Sequence, residues 1–165
     1  MLKKSLLACA FIVWIPAAAL AAGGAGAYVT GIGPRIGFSS NPDQVVFGGQ
    51  LQTGDIAPHI TFDPSLEFGI GDNVTTVQIN FDLKYHFLLQ DSDWKPYAGF
   101  GIGVAHYSVD LPPPYRDASS TEAGGNALLG VTVPTRSGSR FFTEARIDIG
   151  DLPDLKILAG WIFHL

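Results

Sequence analysis

The chain has 165 residues, 47% of them apolar and only 15% charged, with a formal charge of −5. That length bounds it to a single domain, and the apolar share excludes a disordered chain. The acidic balance offers nothing to nucleic acid, and a charged share well below the usual value of about 25% implies a surface that does not all face water.

Residues 1–22 read as a cleavable secretory signal. Lys3 and Lys4 form the basic start, residues 6–15 the apolar stretch, and Ala19-Leu20-Ala21 an A-x-A cleavage site. Pro16 and the small residues after it argue against a membrane anchor. Cys9 falls within this segment, so the mature domain, residues 23–165, has no cysteine and no disulfide is expected.

Eight stretches then alternate apolar and polar residues, the two-residue period of a β-strand. Residues 28–38 place Ile32, Ile36 and Phe38 opposite Gly33, Arg35 and Gly37, with Pro34 removing one ladder donor. After a turn over 39–43, residues 45–53 set Val45, Phe47 and Leu51 against Gly48, Gln50 and Gln52. Residues 60–70 set Ile60, Phe62, Leu66, Phe68 and Ile70 against Thr61, Asp63, Ser65 and Glu67, and Pro64 there suggests a bulge. Gly71-Asp72-Asn73 turns into the clearest strand, in which Val77, Ile79, Phe81, Leu83, Tyr85 and Phe87 alternate with Gln78, Asn80, Asp82, Lys84 and His86.

A polar turn over 90–95 leads to a fifth strand. Ala98, Phe100, Ile102 and Val104 lie on one face, and Tyr97, Gly99, Gly101, Gly103 and Ala105 on the other. Residues 108–121, with Pro112, Pro113 and Pro114, are expected to form a long loop. Strands over 125–133, 141–149 and 155–165 follow, the last carrying Leu155, Ile157, Trp161, Phe163 and Leu165 on one face. An even number of strands behind an export signal suits a closed, antiparallel up-and-down barrel, because closure leaves no edge unpaired.

Alternation alone does not say which face meets water, but charge placement does. Arg35, Glu67, Asp82, Lys84, Glu144, Arg146, Asp148 and Lys156 all share the parity opposite to the strand aromatics. A lipid-facing Arg or Lys near the bilayer midplane would cost about 2–4 kcal/mol. Gly99, Gly101, Gly103 and Ala105 would be odd on a wet exterior, whereas the crowded lumen of an eight-stranded barrel needs small residues on some strands to admit long ones from others. The expected fold is therefore an all-β, eight-stranded transmembrane barrel with the apolar face in lipid. Arg35, Glu67, Gln78, Asn80, Asp82, Lys84, Glu144, Arg146 and Asp148 are expected to form a lumenal polar network. Tyr85, Phe87, Tyr97, Tyr107, Trp161 and Phe163 lie near strand ends, where interfacial aromatic girdles sit.

The run Tyr85-His86-Phe87-Leu88, followed by Lys95-Pro96-Tyr97-Ala98-Gly99-Phe100-Gly101, resembles the hairpin of small Gram-negative outer-membrane β-barrels of the OmpW and OmpA-like group. Trp161, Phe163 and Leu165 resemble the terminal signal that such proteins present to the barrel-assembly machinery, although Leu165 stands where a terminal Phe is usual. The resemblance implies an outer-membrane location with both ends in the periplasm, surrounded by outer-membrane lipid and lipopolysaccharide. It also implies a role as a narrow channel, an adhesin or a structural protein.

Several signals carry possible chemistry. Asp82 with Lys84, and Glu144 with Arg146, are i,i+2 neighbours suited to pairing across a filled core, which is preferred over a pore because eight strands leave an interior just wide enough for side chains. His106 and Ser108 share one face, and the H-x-S pair is similar to that of lipid A deacylases, with Glu122 as the third member such an enzyme would need. Val109 stands where that family has Asn, and the chain is read as a non-enzyme. The loop over 108–121 offers an adhesin or ligand-binding reading. The four histidines have no metal-site spacing, and no metal or cofactor is assigned.

Overall fold

A computed structural model describes residues 28–112, 114, 116–150, 152–153 and 155–165. The signal segment 1–22 and Cys9 lie outside the described residues. Eight antiparallel strands, β1 (Val29–Ser40), β2 (Gln44–Thr53), β3 (Ile60–Gly71), β4 (Val74–His86), β5 (Lys95–Val109), β6 (Ala118–Pro134), β7 (Arg140–Gly150) and β8 (Leu155–His164), close in sequence order, with β8 pairing to β1.

The register fixes how the barrel closes. The pairing row that leaves Ser39 through Gln44, Gly71, Val74 and Val109 reaches β6 at Ala118. Leaving Ser39 the other way, through Lys156 and Arg146, it reaches β6 at Leu128. The ladder is thus staggered by ten residues over one circuit, so strands tilt and each row shifts by a little over one residue per strand. Allowing for that shift, the outward residues Phe38, Val45, Phe68, Val104, Ile149 and Leu155 fall near one level. Ile32, Phe62, Tyr85, Val131 and Phe141 fall near a second, towards the chain termini. The stripes read along single strands therefore join into one continuous apolar belt. Along all eight described strands no Asp, Glu, Lys or Arg occupies the outward parity.

Two expectations need correction. Pro64 causes no bulge against β4, because Asp63, Pro64 and Ser65 keep uninterrupted register with Asp82, Phe81 and Asn80. On its other side the β2 ladder ends at Gln50 paired with Ser65, so the missing Pro64 N–H falls where pairing has stopped. The loop over 108–121 is shorter than expected: β5 continues to Val109 and β6 starts at Ala118, with Ser108 paired to Ser119 and His106 to Thr121. The ladder outlasts the apolar alternation there because both strands have risen beyond the belt, where outward residues no longer need to be greasy.

The connections at the two ends differ. Residues 54–59, 87–94 and 135–139 join strands at the end where the described chain begins, at Tyr28, and ends, at Leu165. Three of the four connections at the far end are short, residues 41–43, 72–73 and 151–154, and only 110–117 is longer.

Candidate functional site in the barrel lumen

The inward parity carries the long polar side chains of β1, β3, β4, β7 and β8, and the glycines of β5 make space for them. A Cβ on Gly101 would meet Asp82 Oδ1 and the backbone oxygen of Phe81, and one on Gly103 would meet Asn80 Oδ1. The nine polar residues expected in the lumen are all buried.

Glu144 is the centre of this network. Its carboxylate accepts from Arg35 Nη2 at 2.6 Å, Lys84 Nζ at 2.9 Å, Arg146 Nη2 at 3.0 Å and the Tyr97 hydroxyl at 3.0 Å. Arg146 reaches on to Asp82 with two donors, at 2.6 and 3.3 Å. Arg35 Nε lies 3.4 Å from Glu67, which also takes Lys156 Nζ at 2.9 Å. Lys156 in turn donates to Gln78 Oε1 and sits 3.5 Å from Asp148. Gln78 donates to Asn80 Oδ1 at 2.7 Å, and Asn80 to Ser65 at 3.3 Å. With Asp63, 3.4 Å from Lys84, five carboxylates and four cations thus interlock across the lumen, and each charge removed from water has an opposite charge within 3.5 Å.

Within this set the Glu144–Arg146 neighbours pair as the spacing suggests, but Asp82 and Lys84 take other partners. Asp82 goes to Arg146, while Lys84 goes to Glu144 and, at 3.4 Å, to Asp63. Side chains two residues apart on a strand stand side by side, about 6.5–7 Å apart at the backbone, whereas those from opposite walls of a narrow barrel meet tip to tip. Asp63 and Lys156 belong to the network although they were not among its expected members. Both carry the lumenal parity, which is the signal that points to them.

Apolar side chains pack beside the ions and beyond them. Leu158 and Leu128, the register partners of Glu144 and Arg146, are buried inside the barrel level with the network, Phe142 and Ile162 are buried further towards the termini, and the Arg35 guanidinium lies 5.8 Å from the Phe142 ring centroid. At the far end Leu152 and Pro153 turn inward and are buried, Leu152 resting against the glycine positions 103 and 124. Beneath Pro153 a void of about 10 Å³ lies beside Gln44, Thr76, Gln78 and Lys156, near the least space that holds one water. Sequence alternation misses Leu158 and Ile162 because between Lys156 and His164 the inward face of β8 carries no polar side chain, so they do not stand out from Ile157 and Trp161.

Of the aromatic residues, Tyr85, Phe87, Trp161 and Phe163 point outward at the end holding the termini, where Tyr85 packs edge-on against Phe87 and Trp161 against Phe141, each at 5.1 Å. Tyr97 does not join the girdle. It is 3% exposed and lumenal, with Lys84 Nζ 5.0 Å from its ring centroid. Tyr107 likewise stands on the lumenal parity, paired with Thr76 and Ser120. Both follow the parity of the glycines beside them rather than the preference of their rings.

The candidate catalytic residues are not assembled. His106 Nδ1 lies 2.9 Å from Thr121 Oγ1 on the outward face. Glu122 is the register partner of Ala105, on the lumenal parity, so the strand wall separates it from His106 and Ser108. Among the described residues no group of three or more His, Cys, Asp or Glu side chains is placed to hold a metal.

Neither a protein-family model nor a curated protein matches the sequence. Solved structures do match the fold. The N-terminal β-barrel domain of Pseudomonas aeruginosa OprF superposes with a TM-score of 0.63 at 14% identity, over 85% of this chain and 99% of that one. Neisserial surface protein A superposes with a TM-score of 0.56 at 18% identity, over 84% of this chain and 96% of that one. Both are eight-stranded outer-membrane barrels, and this chain has their fold.

Proposed function

We propose that this chain is an integral protein of the bacterial outer membrane whose barrel is a structural element with a closed lumen, not a solute channel. The observation that carries the reading is Glu144, bound by Arg35, Lys84 and Tyr97 from three other strands of the wall and by Arg146 from its own, so that the interior is filled from side to side. The belt free of Asp, Glu, Lys and Arg supports a lipid surround, and the shared fold supports the outer membrane. With the start of β1 and the end of β8 at one end, export would leave that end in the periplasm and the barrel-assembly machinery would insert the chain from that side. An adhesin gains little support from a far end where three of four connections are short, and a lipid hydrolase gains none from a triad split across the wall.

Refolded protein in a planar bilayer tests this reading. Silent insertion, with a heat-modifiable folded band on gels but no discrete current steps, is expected, and steady single-channel steps would overturn it in favour of the narrow channel.

A further inference from the structure

The outward wall is not uniform. On β2, β3 and β4 it is paved with aromatic rings, Phe47 stacked on Phe68 and Phe62 on Phe81. Across β6, β7 and β8 it sinks into an open groove of about 350 Å³, lined by Leu129, Val131, Thr143, Ala145 and Ile157. The short side chains of Thr143 and Ala145 leave its floor low.

Thr143 sets this groove apart. It is exposed and lies two residues from Phe141 along β7, inside the belt. Among the described residues it is the one polar side chain on the outward parity between the two levels of the belt, and its hydroxyl has no hydrogen-bond partner. Hydrocarbon offers a hydroxyl neither donor nor acceptor, and no water stands at that depth to replace them. An acyl chain would fill the groove and leave the hydroxyl unsatisfied.

A second copy of this chain satisfies it. A two-fold axis along the membrane normal keeps every residue at its own depth and brings Thr143 to Thr143, where each hydroxyl both donates and accepts. The flanks match as well. Allowing for the shift of a little over one residue per strand, Leu129 on one side of Thr143 and Ala159 on the other fall at one depth. The axis therefore sets the exposed Leu129 of each copy against the small Ala159 of the other. A face from β6 round to β1 is about 20 Å wide and one belt, about 25 Å, tall. Two such faces bury about 1,000 Å² in all, the low end for a specific interface and the size of a reversible pair.

We propose that the β6–β8 groove is the interface of a two-fold symmetric dimer in the membrane plane, centred on a hydrogen bond between the two Thr143 hydroxyls. This rests on the membrane reading above.

Residues 23–165 contain no cysteine, so a single introduced thiol reports its own contacts. Barrels carrying Thr143→Cys, or Leu66→Cys on the opposite wall, are refolded in phosphatidylcholine vesicles at a low protein-to-lipid ratio and oxidised. Crosslinked dimer is expected at 143 well above the collisional level at 66. Energy transfer between barrels labelled at Asp110→Cys gives a second measurement. Thr143→Val is expected to weaken association about threefold to tenfold, and Ala159→Phe, which fills the recess for Leu129, to abolish it, both variants keeping a heat-modifiable folded band. Equal crosslinking at 143 and 66, or energy transfer unchanged by Ala159→Phe, would overturn the dimer and leave the groove to acyl chains. Failure of the wild type to insert into the vesicles would overturn the membrane reading itself, and with it this one.

Discussion

At the scale of single residues, Glu144 shows what a strand pattern can and cannot tell. Its parity with Arg35, Lys84 and Arg146 places it in the lumen, and its spacing from Arg146 marks one partner. Its other partners lie 109, 60 and 47 positions away, and only the closed register brings them together. Since three cations and a phenol share this carboxylate, Glu144→Gln leaves buried charge uncompensated. It should cost about 3–5 kcal/mol, read from urea unfolding of the refolded barrel in lipid vesicles. Tyr97→Phe removes only one hydrogen bond to a charged group and should cost about 1.5–3 kcal/mol. If Glu144→Gln is as mild as Tyr97→Phe, the network is hydrated rather than closed.

At the scale of strands, β5 is the most informative element because its two faces do opposite things. The lumenal glycines sit where a side chain would collide with β4, so Gly101→Val should abolish refolding into a heat-modifiable form. Gly125→Ala, outward on β6 with its nearest neighbour the Gly101 oxygen at 3.8 Å, should change stability by no more than about 0.5 kcal/mol. On the outward face, Phe100→Arg should destabilise by about 2–4 kcal/mol in vesicles, whereas Lys84, one strand away and inward, is tolerated because it has Glu144 and Asp63. All eight strands were legible from alternation, since the outward face had to be apolar and uncharged while the inward one could hold polar and charged residues. The ends of β5 and β6 were not, because above the belt Ser108, Ser119 and Thr121 are polar on an outward face and the pattern that announces a membrane strand stops while the ladder goes on.

At the scale of the whole molecule, closure turns these local facts into a belt and a plug. The ten-residue stagger aligns Phe38, Phe68, Val104 and Ile149, which come from distant parts of the sequence, and it brings the Asp82 carboxylate and the Arg146 guanidinium from opposite walls to within 2.6 Å. No strand encodes that stagger alone, which is why the apolar parity could be read from sequence while the ion-pair partners and the inward Phe142, Leu158 and Ile162 could not. The central claim is that one parity meets lipid and the other fills the lumen. It is tested most directly by spin labels placed one at a time at the outward β5 positions 98, 100, 102, 104, 106 and 108 of the barrel refolded in vesicles. Collisions with dissolved oxygen should dominate at 98–104, and collisions with a water-soluble nickel chelate should take over at 106 and 108. Ready access of the chelate to positions 100–104 would place that face in water and contradict the account.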